Sequence, residues 1–198
     1  MAETDQIAPS QDSPTAILLS GPSCVGKTTL ARRLAGDLRL PLLSKDGFKE
    51  TLFETLGWSD RAWSRTLGAA SIEILYHAIE AQLAAGRSFI AESIFRPQWD
   101  NERWQALCAR YGCSVIQIQC WAEGEVLWQR WLARIDSGAR HPGHVERENV
   151  EEFRPGLLRG RVDPLEIACE LIALDTTDFA RVEAEYADLL ARLRARLA

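Results

Sequence analysis

The sequence predicts a three-layer α/β fold: a parallel β-sheet flanked by helices, in one domain. Two observations carry this. Short apolar runs suited to buried strands alternate with longer segments whose apolar residues recur every three or four positions. Between the first run and the first such segment stands Gly21-Pro22-Ser23-Cys24-Val25-Gly26-Lys27-Thr28-Thr29, which fits the phosphate-binding pattern G-x-x-x-x-G-K-[ST]. Strand, glycine loop and helix form the context that the pattern requires.

In order, residues 1–14 are polar, proline-punctuated and aperiodic, which predicts a disordered tail ahead of a single domain over 15–198. Ala16–Ser20 predicts the first strand. Leu30, Leu34 and Leu38 mark the helix after the glycine loop. Leu40–Leu43 predicts a second strand running into a polar turn, Ser44–Gly47, placed where open α/β sheets hold ligands. A short helix with Phe48, Leu52, Phe53 and Leu56 closes at Gly57. A longer one, capped by Ser59 or Asp60, buries Ile72, Leu75, Tyr76, Ile79 and Leu83 and ends at Gly86. Ser88–Ser93 predicts strand three. Pro97 suits the first turn of a helix that reaches Tyr111 and stops at Gly112. Cys113–Cys120 alternates and is rich in β-branched residues, as a strand does. A helix over Glu123–Ile135 follows, then a glycine-rich charged segment, 136–149, expected to lie mobile over the site. Leu171–Leu174 predicts the fifth strand, and a final helix over 178–197 is expected to bury Phe179, Val182, Tyr186, Leu189, Leu190 and Leu193.

Composition sets outer bounds. A net charge of −5 gives no support to broad attraction to nucleic acid or anionic membrane, and no apolar run approaches a membrane span. Five cysteines without a C-x-x-C spacing suggest neither a disulfide framework nor a zinc site, which predicts a reducing, cytoplasmic setting. Most of the seven tryptophans are expected in the core.

The glycine loop predicts binding of a nucleoside triphosphate. Backbone N–H groups of Gly21, Ser23, Cys24, Val25, Gly26 and Thr29 would face the phosphates. Lys27 would reach the β- and γ-phosphates, and the Thr28 hydroxyl would hold Mg²⁺. Asp46 is either the acceptor of a substrate hydroxyl proton or a helix cap. Arg130 and Arg134, four apart on one helix face, join Arg140 as candidates to stabilise the transferred phosphoryl group; singly, each reads equally as a surface arginine. Glu92, ending a strand, either orders Mg²⁺ through water or is buried with hydrogen bonds. His77, His141 and His144 lack the companions of a metal site. An aromatic-rich wall, with Phe48, Phe53, Phe95, Arg96 and Trp99, suits a small, partly apolar acceptor or plain helix packing.

GPSCVGKTT, SKDGFKETL, the ESIF strand end, the R-x-x-x-R…RHPGH segment and the final LDTT together resemble the small P-loop kinases of the zeta-toxin, chloramphenicol phosphotransferase and polynucleotide-kinase type, an AAA-type ATP-binding group. The resemblance spans nearly the whole chain after residue 15. It implies a sheet of order 2-3-1-4-5, an arginine-bearing lid, and transfer of the ATP γ-phosphate to a hydroxyl. It matches Asp46 to the substrate-side aspartate, Arg130, Arg134 and Arg140 to the lid arginines, and Asp175 and Thr176 to a turn near the adenine. Cys24 departs from the smaller residue often found at its position, so its modification is expected to block ATP. The implied acceptor is a small-molecule hydroxyl. A polynucleotide 5′-hydroxyl kinase, disfavoured by the acidic total, and a regulatory ATPase remain the alternatives.

Overall fold

Residues 13–197 are described by a computed structural model; of the predicted tail over 1–14, residues 1–12 lie outside them. Pro14 does not belong to a tail, because it is buried and its carbonyl accepts the Ser114 N–H at 3.0 Å.

Five strands form one parallel sheet. They are β1 (Thr15–Ser20), β2 (Leu42–Ser44), β3 (Phe89–Glu92), β4 (Ser114–Trp121) and β5 (Glu170–Asp175), in the order β2-β3-β1-β4-β5. The helices are α1 (Lys27–Leu38), α2 (Lys45–Leu56), α3 (Arg61–Ala84), α4 (Pro97–Tyr111), α5 (Gly124–Ser137), α6 (Val150–Leu158) and α7 (Phe179–Leu197). Every residue of β1 is buried, since it lies between β3 and β4 with both faces covered. Its side chains alternate between two cores. Ile17 and Leu19 pack with α1, α5, α6 and α7, whereas Ala16 and Leu18 pack with α3 and α4.

Four local readings change. The polar turn at 44–47 is helical: Ser44 is the N-cap of α2, its Oγ accepting the Gly47 N–H at 3.4 Å, so Asp46 sits in the first turn. Segment 136–149 is not irregular throughout. It carries 3-10 turns at Pro142–His144 and Arg147–Asn149, and the unforeseen helix α6 follows. Of the expected α7 core, Tyr186, Leu189 and Leu193 are buried, Val182 and Leu190 partly so, and Phe179 is exposed. Only Trp104 and Trp131 of the seven tryptophans are fully buried, because Trp58 and Trp99 face outward and Trp63, Trp121 and Trp128 are half-buried.

The alternation of β4 has its own explanation. Gln117 and Gln119 are buried and bonded to the coil between α6 and β5. Gln117 Nε2 donates to Gln119 Oε1 (2.9 Å), Gln119 Nε2 donates to the Val162 carbonyl (2.7 Å), and Gln117 Oε1 accepts the Leu165 N–H (3.2 Å). Buried amides satisfied in this way hold a coil where a helix would otherwise pack.

Candidate active site

The carboxyl ends of β1, β2 and β3 open onto one cleft of about 1180 Å³, larger than the roughly 300–1,000 Å³ of a typical single-ligand pocket. The glycine loop forms one wall. Gly21 adopts φ 142°, and a Cβ there would lie 2.3 Å from the Cys120 carbonyl oxygen, so the chain turns upward from β1 only without a side chain. Cys24 (φ 64°) and Gly26 (φ 87°) are also left-handed, which curls the loop over the N-terminus of α1.

Lys27 is buried at the bottom of this loop. Its Nζ donates to the Pro22 carbonyl at 2.7 Å, and burial lowers its pKa against the opposing pull of Glu92. Glu92, 4% exposed, accepts the Ser44 Oγ–H at 2.7 Å across the β2–β3 pair. Glu92, Lys27, Thr28 and Asp46 therefore line one end of the cleft.

Asp46 is held between cations. Arg140 Nη2 donates to its Oδ2 at 2.6 Å, and Lys45 Nζ lies 3.1 Å from Oδ1. Burial pushes the Asp46 carboxyl up, but Arg140 and Lys45 outweigh it and hold it well below the usual carboxylate range. A carboxylate so strongly ionised is a weak base and a permanent hydrogen-bond acceptor.

The arginines converge from α5 and the segment after it. Glu146, 7% exposed, takes Arg134 Nη2 at 2.7 Å and Arg140 Nε at 3.5 Å. Arg130 donates to the Thr177 carbonyl (2.9 Å) and lies 3.9 Å over the Phe179 ring. Among the described residues, Arg130 Nη1 and Arg134 Nε are buried without a hydrogen-bond partner, Arg140 Nε has only the long approach of Glu146, and all three residues line the cleft. Guanidinium N–H groups free of hydrogen bonds beside a glycine loop fit phosphate oxygens.

Segment 136–149 is docked on α2. His141 stacks on Phe53 at 5.0 Å, His144 meets it edge-on at 5.2 Å, and a Cβ on Gly143 would come within 2.8 Å of the same ring. His141 pairs with Glu54 (2.9 Å) and His144 with Glu50 (3.0 Å). Among the described residues, no cluster of three or more His, Cys, Asp or Glu side chains could hold a metal ion. Burial first, then Arg140, pushes the His144 imidazole down to about 2, so it is neutral at pH 7. His77 is exposed.

The cleft gathers Ser23, Cys24, Gly26, Lys27, Thr28, Thr29, Asp46, Glu92, Arg96, Trp99 and the three arginines. It does not gather the other expected residues. Gly21 and Val25 are buried beneath the loop, Phe53 and Phe95 are core at 1% exposure, and Phe48 packs against the α3–α4 core. Asp175 caps the Thr177 N–H (2.9 Å), and Thr176 is buried, bonded to the Trp121 carbonyl. From that turn region, Phe179 is the residue that reaches the cleft; its ring lies 2.9 Å from where a Gly26 Cβ would stand.

Sequence reasoning missed Lys49, Arg61, Ser64, Arg103, Glu146 and Phe179, which also line the cleft. Lys49 was within reach. With Ser44 taken as N-cap, its position three residues after Asp46 puts both on one face of α2.

Fold and site together define a kinase-like P-loop domain. A family model described as an AAA domain (AAA_33) matches residues 17–157, and the chain belongs to that family. It is similar to a candidate kinase of Chloroflexus aurantiacus J-10-fl, at 43% identity over 94% of this chain and 100% of that one, with a TM-score of 0.87. A sugar kinase of Janibacter sp. HTCC2649 shares the fold at 18% identity, covering 94% and 98% of the two chains, with a TM-score of 0.54. APS kinase CysC of Mycobacterium tuberculosis, solved with AMPPNP and APS, does so at 14% identity, covering 91% and 98%, with a TM-score of 0.53. No curated protein matches the chain. Among the described residues, no helix is long and apolar enough to cross a membrane.

Proposed function

We propose that this protein is an ATP-dependent kinase that moves the γ-phosphoryl group of ATP to a hydroxyl of a small molecule. One observation carries the reading: Arg130, Arg134 and Arg140 line the same cleft as Lys27, Thr28 and Asp46, each with a buried N–H that makes no hydrogen bond within the described residues. The motifs GPSCVGKTT, SKDGFKETL and RHPGH support placing it with the zeta-toxin, chloramphenicol phosphotransferase and polynucleotide-kinase group within its family.

The loop N–H groups and Lys27 hold the triphosphate, with Lys27 exchanging its bond to Pro22 for phosphate oxygens. Mg²⁺, on the Thr28 hydroxyl and through water on Glu92, would neutralise charge between the phosphates. Phosphoryl transfer passes through a loose transition state, so little base strength is needed and positioning dominates. Asp46 accordingly accepts a hydrogen bond from the acceptor hydroxyl and aims its oxygen at the γ-phosphorus. As the bond from the acceptor oxygen to the γ-phosphorus forms, the bond from that phosphorus to the ADP oxygen breaks, and the acceptor's proton passes by way of the partly exposed Asp46 to bulk solvent outside the cleft. The arginines meet the spreading phosphoryl charge and exclude water.

The test uses γ-labelled ATP and Mg²⁺ with hydroxyl-bearing antibiotics, sugars and nucleosides, beside an oligonucleotide with a free 5′-hydroxyl. Label is expected on a small molecule. Label on the oligonucleotide alone, or free phosphate with no labelled acceptor, overturns the reading.

A further inference from the structure

Among the described residues, Lys49 is the one lysine or arginine of the acceptor half of the cleft that is both buried and without a carboxylate. Lys45, Arg61, Arg65, Arg103 and Arg140 each lie 2.6–3.1 Å from an Asp or Glu oxygen. Lys49, 5% exposed, has no carboxylate oxygen within 4.0 Å among the described residues. Its Nζ donates to the hydroxyl of Ser64 at 3.0 Å and lies 5.2 Å from the Phe53 ring centre. Among the described residues, the other two donor positions of the ammonium have no hydrogen-bond partner. Gly68 of α3 leaves room for the lysine head: a Cβ there would stand 3.5 Å from Nζ, in van der Waals contact, and Lys49, Ser64 and Gly68 all line the cleft.

A buried ammonium without a counter-charge is costly unless something supplies one. Burial and the neighbouring Lys45 lower the Lys49 pKa to about 8, against the pull of Asp46, so the group is still charged at neutral pH. We infer that Lys49 is the binding site for an anionic group, a carboxylate or a phosphate, carried by the phosphoryl acceptor. The inference rests on the kinase reading for the word acceptor, and on the geometry alone for the anion. Lys49 follows Asp46 by three residues on α2, which sets their Cβ atoms roughly 5–6 Å apart. The acceptor is therefore a compact molecule with its reacting hydroxyl a few bonds from its negative charge. Hydroxy acids, sugar acids and sugar phosphates have that form.

The experiment first removes the triphosphate site from contention by loading the protein with AMPPNP and Mg²⁺. Calorimetric titrations then compare matched probes: D-glycerate and glycerol 3-phosphate against glycerol, and glucuronate against glucose. An anionic member should bind at least ten-fold tighter than its neutral partner, and the glycerate and glycerol phosphate arms tell carboxylate from phosphate. Lys49→Met should remove that preference without changing AMPPNP affinity, and Lys49→Arg should restore part of it. If Lys49→Met does not fold, Gly68→Glu supplies a carboxylate from α3 and should abolish the preference by occupying Lys49. Equal binding of charged and neutral probes, a preference that survives Lys49→Met, or a loss confined to AMPPNP overturns the inference. The same probes with γ-labelled ATP separate the two ideas. Anion binding with no labelled alcohol refutes the kinase and keeps the anion site; label on neutral alcohols alone keeps the kinase and refutes the anion site.

Discussion

Replacing Asp46 with Asn changes one charge and almost no volume, and the structure predicts two separable losses. The carboxylate faces Arg140 at 2.6 Å and Lys45 at 3.1 Å, and Lys49 stands one turn along the same helix. Asparagine keeps an acceptor for Arg140 but leaves these cations less balanced. The Asp46 side chain is 31% exposed, so solvent screens part of the effect, and about 1–2 kcal/mol of stability should be lost at pH 7. The pH dependence fixes its origin. The folded-state pKa lies below the ordinary 3.8, so the contribution is fully present above that value and fades as pH falls through and below it. Denaturant melts of wild type and variant should therefore differ by a constant amount above about pH 5. They should converge toward pH 2. Turnover should drop at least about 10²-fold, because the proposed charged anchor of the acceptor hydroxyl is lost, while AMPPNP affinity stays nearly unchanged. An Asp46→Asn protein as stable as wild type at pH 7 would refute the charge-balance reasoning. Unchanged turnover would refute the positioning role.

Lys27→Met removes the group proposed to reach the phosphates, and AMPPNP affinity should fall at least about 10²-fold, since a buried charged hydrogen-bonding partner is lost. Because Lys27 is buried with its pKa lowered by desolvation, the same variant should melt no lower than wild type; a lower melting temperature would count against that cost. His144 predicts a second acid-sensitive step. It is buried among Arg140, Glu50, Asp46, Lys49 and Lys45, and its folded pKa lies far below 6.5. Stability from keeping it neutral is complete above pH 6.5 and is lost as pH falls from there. His144→Gln should flatten the melting-temperature profile between pH 7 and 5, a window clear of Asp46.

The features legible in the sequence were the local ones. The glycine loop announces itself because its conformation is set within nine residues, by Gly21, Gly26 and the helix that Lys27 begins. Helix α4 runs from Pro97 to Tyr111 with Gly112 at its end, as its own start and stop signals dictate. The order 2-3-1-4-5 came from resemblance, since a parallel sheet's order is not written in any single strand. Misreadings fell where a distant partner overrides a local signal. Phe53 and Phe95 look like pocket walls beside the right motifs, yet tertiary packing buries them, under His141 and Gly143 in one case and against Trp104 in the other.

The sequence by itself determined that a phosphate loop, a carboxylate after β2 and a set of arginines exist in this protein, because residue type and short spacing suffice for each. Only the tertiary structure decided what they become together. Arg140 reaches Asp46 across 94 residues, and Lys49 meets Ser64 across a helix junction, its head lying over Gly68. The charge that each group carries, and the anion that one of them lacks, depend on burial and on neighbours brought by the fold, and neither quantity is a property of a stretch of chain.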